Sequence, residues 1–256
     1  MSVKAKKHLG QHFLTDENIA EKIVKGLSLE TYDNVLEVGP GMGVLTKYLL
    51  STDKKVFLAE IDNESIAYLI ENYDELTENN FVGDFLKADF DFSNQEQIAI
   101  IGNFPYNISS QILFKIIDHY EIIPEMVGMF QKEVAERTAA VPRTKDYGIL
   151  SVLVQAYYDT KYLFTVHENV FNPPPKVKSG VIRLVRNPKE GLQGIEVLFK
   201  SIVKTGFNQR RKKLSNALKP LNIPEALKTH AFMDKRAEEL SVTDFISFAR
   251  EWSEQI

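Results

Sequence analysis

Apolar positions along the chain recur at two different periods. Ile19, Ile23, Val24 and Leu27 lie three or four residues apart, on one face of a helix; Thr15 offers a cap, and Asp16 and Glu17 place negative charge in the first turn, where the helix dipole favours it. The stretches 35–38, apolar but for Glu37, and 56–59, apolar throughout, instead read as short buried strands, and each is followed by helical spacing, at 44–50 and 63–73. The alternation continues with a third strand at Phe81 and Val82, a fourth at 98–101, a helix over 109–117, a strand over 126–130 and helices over 132–140 and 148–158. Residues 162–166 and 181–185 flank the loop FNPPPKVKS, 171–179, and read as a closing hairpin. A βαβα order predicts an α/β domain with a mostly parallel sheet covered on both faces, over residues 1–190. Strand signals then stop, and 191–256 is helical in pattern, broken at Pro220 and Pro224, so a small all-α C-terminal domain is expected.

Composition narrows the class. With 256 residues, 44% of them hydrophobic, the chain can bury a full core. No apolar run reaches the ~20 residues of a membrane-spanning helix. The basic opening MSVKAKKHLG lacks the apolar centre of a signal peptide, so a cytoplasmic protein without a membrane partner is expected. Zero cysteines exclude disulfides, thiolate zinc sites and cysteine nucleophiles, and the five histidines, His119 and His230 among them, show no ligand spacing; no metal is expected. Net charge is −4, which argues against indiscriminate coating of nucleic acid, yet two segments are purely basic. Residues 1–15 carry Lys4, Lys6, Lys7 and His8, and alone read as a solvated arm. Residues 201–220 carry Lys204, Arg210, Arg211, Lys212, Lys213 and Lys219, with Phe207, Asn208 and Gln209 alongside to stack and hydrogen-bond beside phosphate-binding charge.

Candidate chemistry gathers at predicted strand ends. In EVGPGMG, residues 37–43, glycines between a strand and a helix let a ligand approach the backbone, although a tight structural turn uses Gly-Pro-Gly equally well. The spacing is G-x-G-x-G and not the G-x-G-x-x-G of dinucleotide enzymes, which favours S-adenosylmethionine, a ligand with no pyrophosphate to seat. Glu60, ~20 residues on and at the end of the next strand, stands where an acid accepts ribose hydroxyls. Asp84 stands where a carboxylate accepts from an adenine amino group. In NFPY, the Asn103 side-chain carbonyl and a neighbouring backbone carbonyl can accept the two hydrogens of an adenine N6, drawing its lone pair out of the ring. Pro105 fixes its own φ and extends Phe104, which exposes that carbonyl, and Tyr106 offers a stacking face worth ~1 to 3 kcal/mol. The alternative is a turn in which Asn103 caps the following helix and both aromatics belong to the core.

In this order, GQHFLTD, EVGPGMG, AEID, NFPYNIS, FQKEVAERTAA, YGILSVLVQAYY and FNPPPKVKSGVIRL resemble the ribosomal RNA adenine dimethyltransferases, nearly end to end. TGFNQRRKKLSNAL is similar to the branch acting on small-subunit RNA, more than to the antibiotic-resistance branch acting on large-subunit RNA. The resemblance implies a Rossmann-like S-adenosylmethionine-dependent fold and transfer of methyls to N6 of two adjacent adenosines in the 3′-terminal hairpin of 16S RNA, by a monomer working on the immature 30S subunit during its biogenesis. It implies cofactor contacts from Gln11, His12, Leu14, Gly39, Gly41, Glu60, Ile61, Asp84, Phe85 and Asn103. Asn103, Phe104, Pro105 and Tyr106 would hold the target base, with Phe171 clamping it opposite Tyr106. RNA would be met by Lys4, Lys6, Lys7, Lys176, Arg210, Arg211, Lys212 and Lys213. His12 stands where asparagine is common, and Phe104 where leucine is.

Two other classes bear on the same residues. A nicotinamide-dependent oxidoreductase would share the early strands and Glu60, but it accounts for neither NFPY nor the basic tail. A non-catalytic RNA-binding assembly factor that keeps the fold differs in one observable, methyl transfer to immature small subunits.

Overall fold

A computed structural model describes residues 3–6, 9–93, 96–187 and 192–256. A short strand β1 (Phe13–Leu14) leads into α1 (Glu17–Val24), which is capped by Asp16, whose carboxylate accepts the amides of Asn18 and Ile19, and not by Thr15. Thr15 is drawn away because both its amide and its hydroxyl donate to the Val170 carbonyl. The apolar runs become β2 (Asn34–Val38), β3 (Lys55–Ala59), β4 (Ile98–Asn103) and β5 (Glu125–Gln131), separated by α2 (Thr46–Leu50), α3 (Asn63–Asn72) and α4 (Ser109–Asp118). Then come α5 (Lys132–Thr138), α6 (Ile149–Gln155), β6 (Tyr158–Val166), β7 (Phe171–Asn172) and β8 (Ser179–Arg186).

The six-stranded sheet has the order β3-β2-β4-β5-β8-β6. β3, β2, β4 and β5 run parallel, and β8 returns antiparallel to β5. Parallel pairing sends the carboxyl ends of β2, β3 and β4 to one edge, which is where such sheets bind ligands. Two expectations shift. The strand at Phe81 shrinks to a single parallel bridge with Leu58, because the Asn80 side-chain amide takes the Val56 carbonyl that a ladder would use and Gly83 then turns the chain at φ +73°. The helix expected over 148–158 ends at Gln155, and Tyr158, fully buried, opens β6 instead. β1 lies outside the main sheet, pairing antiparallel with β7, so that Phe13 faces Asn172 and Leu14 faces Phe171.

By internal packing the chain forms two compact units, 1–135 with 160–186, and 136–159 with 187–256. The first has a core of Ile23, Val35, Leu49, Leu58, Ile101 and Val127, all buried. The second is built on α7 (Glu196–Asn208), α8 (Leu214–Ala217) and α9 (Val242–Ser253), the last opened by a reciprocal cap between Ser241 and Asp244. Its core holds Phe199, Ile202, Phe245, Phe248 and Trp252. No helix among the described residues is long and apolar enough to cross a membrane.

Candidate active site

At the end of β2 the chain turns through Gly39, Gly41 and Gly43, with φ of +69°, +57° and +80°. Left-handed φ costs any residue with a Cβ, and at Gly41 there is no room either, since a Cβ would lie 2.7 Å from the Phe13 ring. At the end of β3, Glu60 is buried. Its Oε1 accepts the amides of Ile61 (2.8 Å) and Asp62 (2.9 Å), while Oε2 has only a long contact, 3.4 Å, to the Gly41 amide and keeps acceptor capacity. Burial pushes the Glu60 carboxyl up from its ordinary value, against the pull of those amides. Ile61 beside it is 57% exposed, a branched side chain presented to whatever lies there. Past the Phe81 bridge come Gly83 and Asp84, whose Oδ1 accepts the Leu86 amide at 3.0 Å.

These strand ends and an arm formed by residues 9–13 enclose a cavity of about 220 Å³. Gln11, His12, Gly39, Gly41, Glu60, Ile61, Asp84, Phe85, Asn103, Phe104, Pro105 and Tyr106, all expected at the site, line it together. Leu9, Gly10, Phe13, Gly83, Leu86 and Asn107 line it too and were not expected; Gly10 had a signal, since it precedes Gln11 and takes φ +67° with the Asn107 side chain where a Cβ would go. Leu14 lines a neighbouring recess of about 310 Å³ that also touches Glu37 and Asn103. Glu37 is buried, with Thr46 Oγ1 donating to its Oε2 at 2.6 Å, and desolvation raises its pKa to about 8.

Asn103 closes β4. Its amide nitrogen donates to the His12 carbonyl at 2.8 Å, so its orientation is fixed and Oδ1 remains as acceptor. The helix-cap alternative does not apply, since no hydrogen bond from Asn103 caps α4. Phe104 donates its amide to the Met129 carbonyl, and among the described residues no donor sits on its own carbonyl. Its ring, however, is 1% exposed, lying across Gly128, where any Cβ would overlap it, and 4.7 Å from the Phe130 ring. Phe104 therefore contributes backbone to the site and side chain to the core. Tyr106 is half-buried, its hydroxyl 2.6 Å from Ser179 Oγ, and burial raises its pKa, keeping it a neutral phenol. The His12 ring stacks near it, centroids 5.5 Å apart and planes 27° apart, while His12 Nδ1 donates to the Pro173 carbonyl at 2.7 Å. Phe171, expected opposite Tyr106, is not at the cavity: it is 4% exposed and packs into the apolar core beside Leu14.

The basic residues also divide. Lys4 and Lys176 are exposed, and Lys7 lies outside the described residues. Lys6 is committed to Asp62 at 2.5 Å and Glu64 at 3.2 Å. Although burial works the other way, the Lys6 ammonium and the Glu64 amide hold the Asp62 carboxyl below its ordinary value. In the helical unit the run 210–213 is a turn between α7 and α8 and not a helix. Arg210 is bonded to Glu238, and Lys213 to Asp234 at 2.9 Å; Arg211 and Lys212 are exposed. Phe207, expected to stack on a base, is buried against Tyr147 and Phe245. No group of three or more His, Asp or Glu among the described residues could hold a metal ion.

A parallel sheet with a glycine turn, a buried glutamate and an asparagine at three neighbouring strand ends defines a methyltransferase of the Rossmann-like class. Residues 2–254 match the family model described as ribosomal RNA adenine dimethylase, and the chain belongs to that family. It is 58% identical over 245 residues, 95% of either chain, to the ribosomal RNA small subunit methyltransferase A of Cytophaga hutchinsonii. Among solved structures it is similar to a dimethyladenosine transferase from Plasmodium falciparum (TM-score 0.83, 28% identity, 95% of this chain and 98% of that one). It is also similar to the 23S rRNA methyltransferase ErmE (TM-score 0.69, 26% identity, 93% and 99%).

Proposed function

We propose that this chain dimethylates N6 of two adjacent adenosines in the 3′-terminal hairpin of small-subunit ribosomal RNA, with S-adenosylmethionine as methyl donor, acting in the cytoplasm as a monomer on the immature 30S subunit. Family membership and the high identity to a small-subunit enzyme support the reaction and the subunit. The observation that carries the chemistry is the pairing of two unspent acceptors, Asn103 Oδ1 and the Phe104 carbonyl, beside the Tyr106 ring.

The donor, when bound, supplies an electrophilic methyl on a sulfonium. The residues present fit its nucleoside: Glu60 Oε2 is open to ribose hydroxyls, Ile61 and Phe85 give apolar surface, Asp84 can take an amino hydrogen, and the glycine turn brings backbone within reach. The chain's own work is then positional. Tyr106 stacks the extruded adenine, and the two carbonyl oxygens each accept one N6 hydrogen, turning the lone pair toward the methyl. After transfer the nitrogen carries an extra proton, acidic enough for water to take, so no general base is needed.

Asn103→Ala tests this. Single-turnover methylation of small subunits that lack the dimethyl mark should fall roughly a hundredfold or more, while donor affinity by calorimetry moves only a few-fold. Turnover within threefold of the parent would remove the carboxamide from the mechanism.

A further inference from the structure

Tyr106 opens a three-residue turn, Tyr106–Ile108, between β4 and α4. So short a turn settles where the residue sits but leaves the pitch of its ring to side-chain contacts. Two buried serines supply them from opposite ends. Ser109 Oγ donates to the Tyr106 carbonyl at 3.0 Å and holds the backbone. The phenol oxygen lies 2.6 Å from Ser179 Oγ, one hydroxyl donating to the other, and among the described residues neither hydroxyl has a second partner. Ser179 is fully buried, on a part of the sheet that cannot yield. It opens β8 opposite Gln131 of β5, and the Lys132 amide donates at 2.9 Å to the carbonyl of Lys178, the residue before it. On the residue after it, Gly180, a Cβ would lie 2.7 Å from Ala135 and 2.8 Å from Tyr162. The direction of the Tyr106 ring is thereby taken from the rigid sheet and not from the turn that carries it.

We infer that Ser179 is a positioning residue for the methyl transfer, one that fixes the pitch of the Tyr106 ring and with it the plane in which the extruded adenine is held. The inference rests on the reading of an adenine substrate and specifies what sets the angle of the base. The amino nitrogen must meet Asn103 Oδ1 and the Phe104 carbonyl at once, and a base stacked on the ring follows the ring's plane. A tilted ring therefore turns one of the two N6 bonds out of line. Removing the Ser179 hydroxyl does more than free the ring, because a half-buried phenol without its partner is driven to find another.

The test is single-turnover methylation of small subunits that lack the dimethyl mark, measured across subunit concentrations for the parent, Ser179→Ala, Tyr106→Phe and the double variant. Ser179→Ala should lower the saturating rate about tenfold, the size expected for one lost hydrogen bond and the misplacement that follows. The subunit concentration giving half that rate, and the donor affinity by calorimetry, should stay within about twofold of the parent, which also shows that the variant folds. Tyr106→Phe keeps the ring and loses the same bond, so its rate should fall comparably. The double variant should be no slower than the slower single variant, because all three lack the same interaction. An active parent matched by Ser179→Ala overturns the inference, and so do losses that multiply in the double variant. Donor affinity that weakens in proportion to the rate marks a loosened domain and overturns it too. A parent that leaves the subunits unmethylated overturns the substrate reading itself, and the inference with it.

Discussion

In the proposed mechanism, Asn103 and His12 share the task of presenting one oxygen correctly. A carboxamide free to rotate would offer its nitrogen to the base as readily as its oxygen; the His12 carbonyl removes that choice by accepting the Asn103 amide. The His12 carbonyl is in turn held because its own imidazole donates to Pro173 and lies against Tyr106. Replacing the ring by alanine frees this segment, and a small misplacement of reacting groups is costly, so His12→Ala should lower single-turnover methylation by roughly tenfold. His12→Asn keeps an N–H donor for the Pro173 carbonyl and should retain most of the parent's rate. Equal rates for alanine and parent would sink the positioning role. Gly39, Gly41, Glu60, Asp84 and Asn103 were legible because each is a polar or glycine residue at a predicted strand end, whereas Gln11, His12, Ile61 and Phe85 came only from the resemblance. Phe104 and Phe171 were not, since an aromatic beside a site reads the same whether its ring faces ligand or core, and only packing against Gly128 and Leu14 decides it.

At the scale of elements, the arm before β1 is a wall of the cavity that must be held shut. Its fastening is Lys6, which reaches Asp62, the residue that caps α3 and follows Glu60 by two positions; Gln11 contacts the same carboxylate at 3.4 Å and its Oε1 accepts the Lys6 amide. Lys6 thus serves the cavity proposed for the donor. Lys6→Ala should speed release of the demethylated donor product several-fold in stopped-flow measurements and leave the salt slope of RNA binding unchanged. A reduced slope with unchanged release would return Lys6 to the RNA-facing set. Strands β2 to β5 and most helices were readable from the pattern, because a strand buried on both faces is a short, near-continuous apolar stretch. The single bridge at Phe81 was not, because a lone asparagine side chain replaces the ladder there. Nor was the turn at 210–213, where a run of good helix formers is diverted because the Arg210 guanidinium is bonded to Glu238 and to two backbone carbonyls.

For the whole molecule, the buried Glu37 carboxyl bears on global stability. Its ordinary value is 4.5 and its folded value about 8. Between these pH values the unfolded chain releases a proton that the folded chain keeps, so stability falls as pH rises through that window and levels off above it, by on the order of 5 kcal/mol if nothing relaxes. Glu37→Gln keeps an acceptor for Thr46 and has no proton to lose. Urea midpoints of parent and variant should be similar near pH 4.5, with the variant clearly higher at pH 8; parallel curves would show that Glu37 ionises normally. The α/β and all-α halves were legible in the sequence as a change of period. Placement of 136–159 with the C-terminal residues was not, since contacts such as Arg143 with Glu238 leave no periodic trace. The pairing of β1 with β7 has a further consequence, in the order of synthesis. A ribosome finishes Phe13 long before Asn172 exists, and the loop between them is costly to close until the second strand is available. On a nascent chain that stops short of β7, the glycine turn, Glu60 and Asn103 are all present, yet the arm has no strand to pair with. The arm, translated before the strand it pairs with, is thus among the last parts of its unit to find its place.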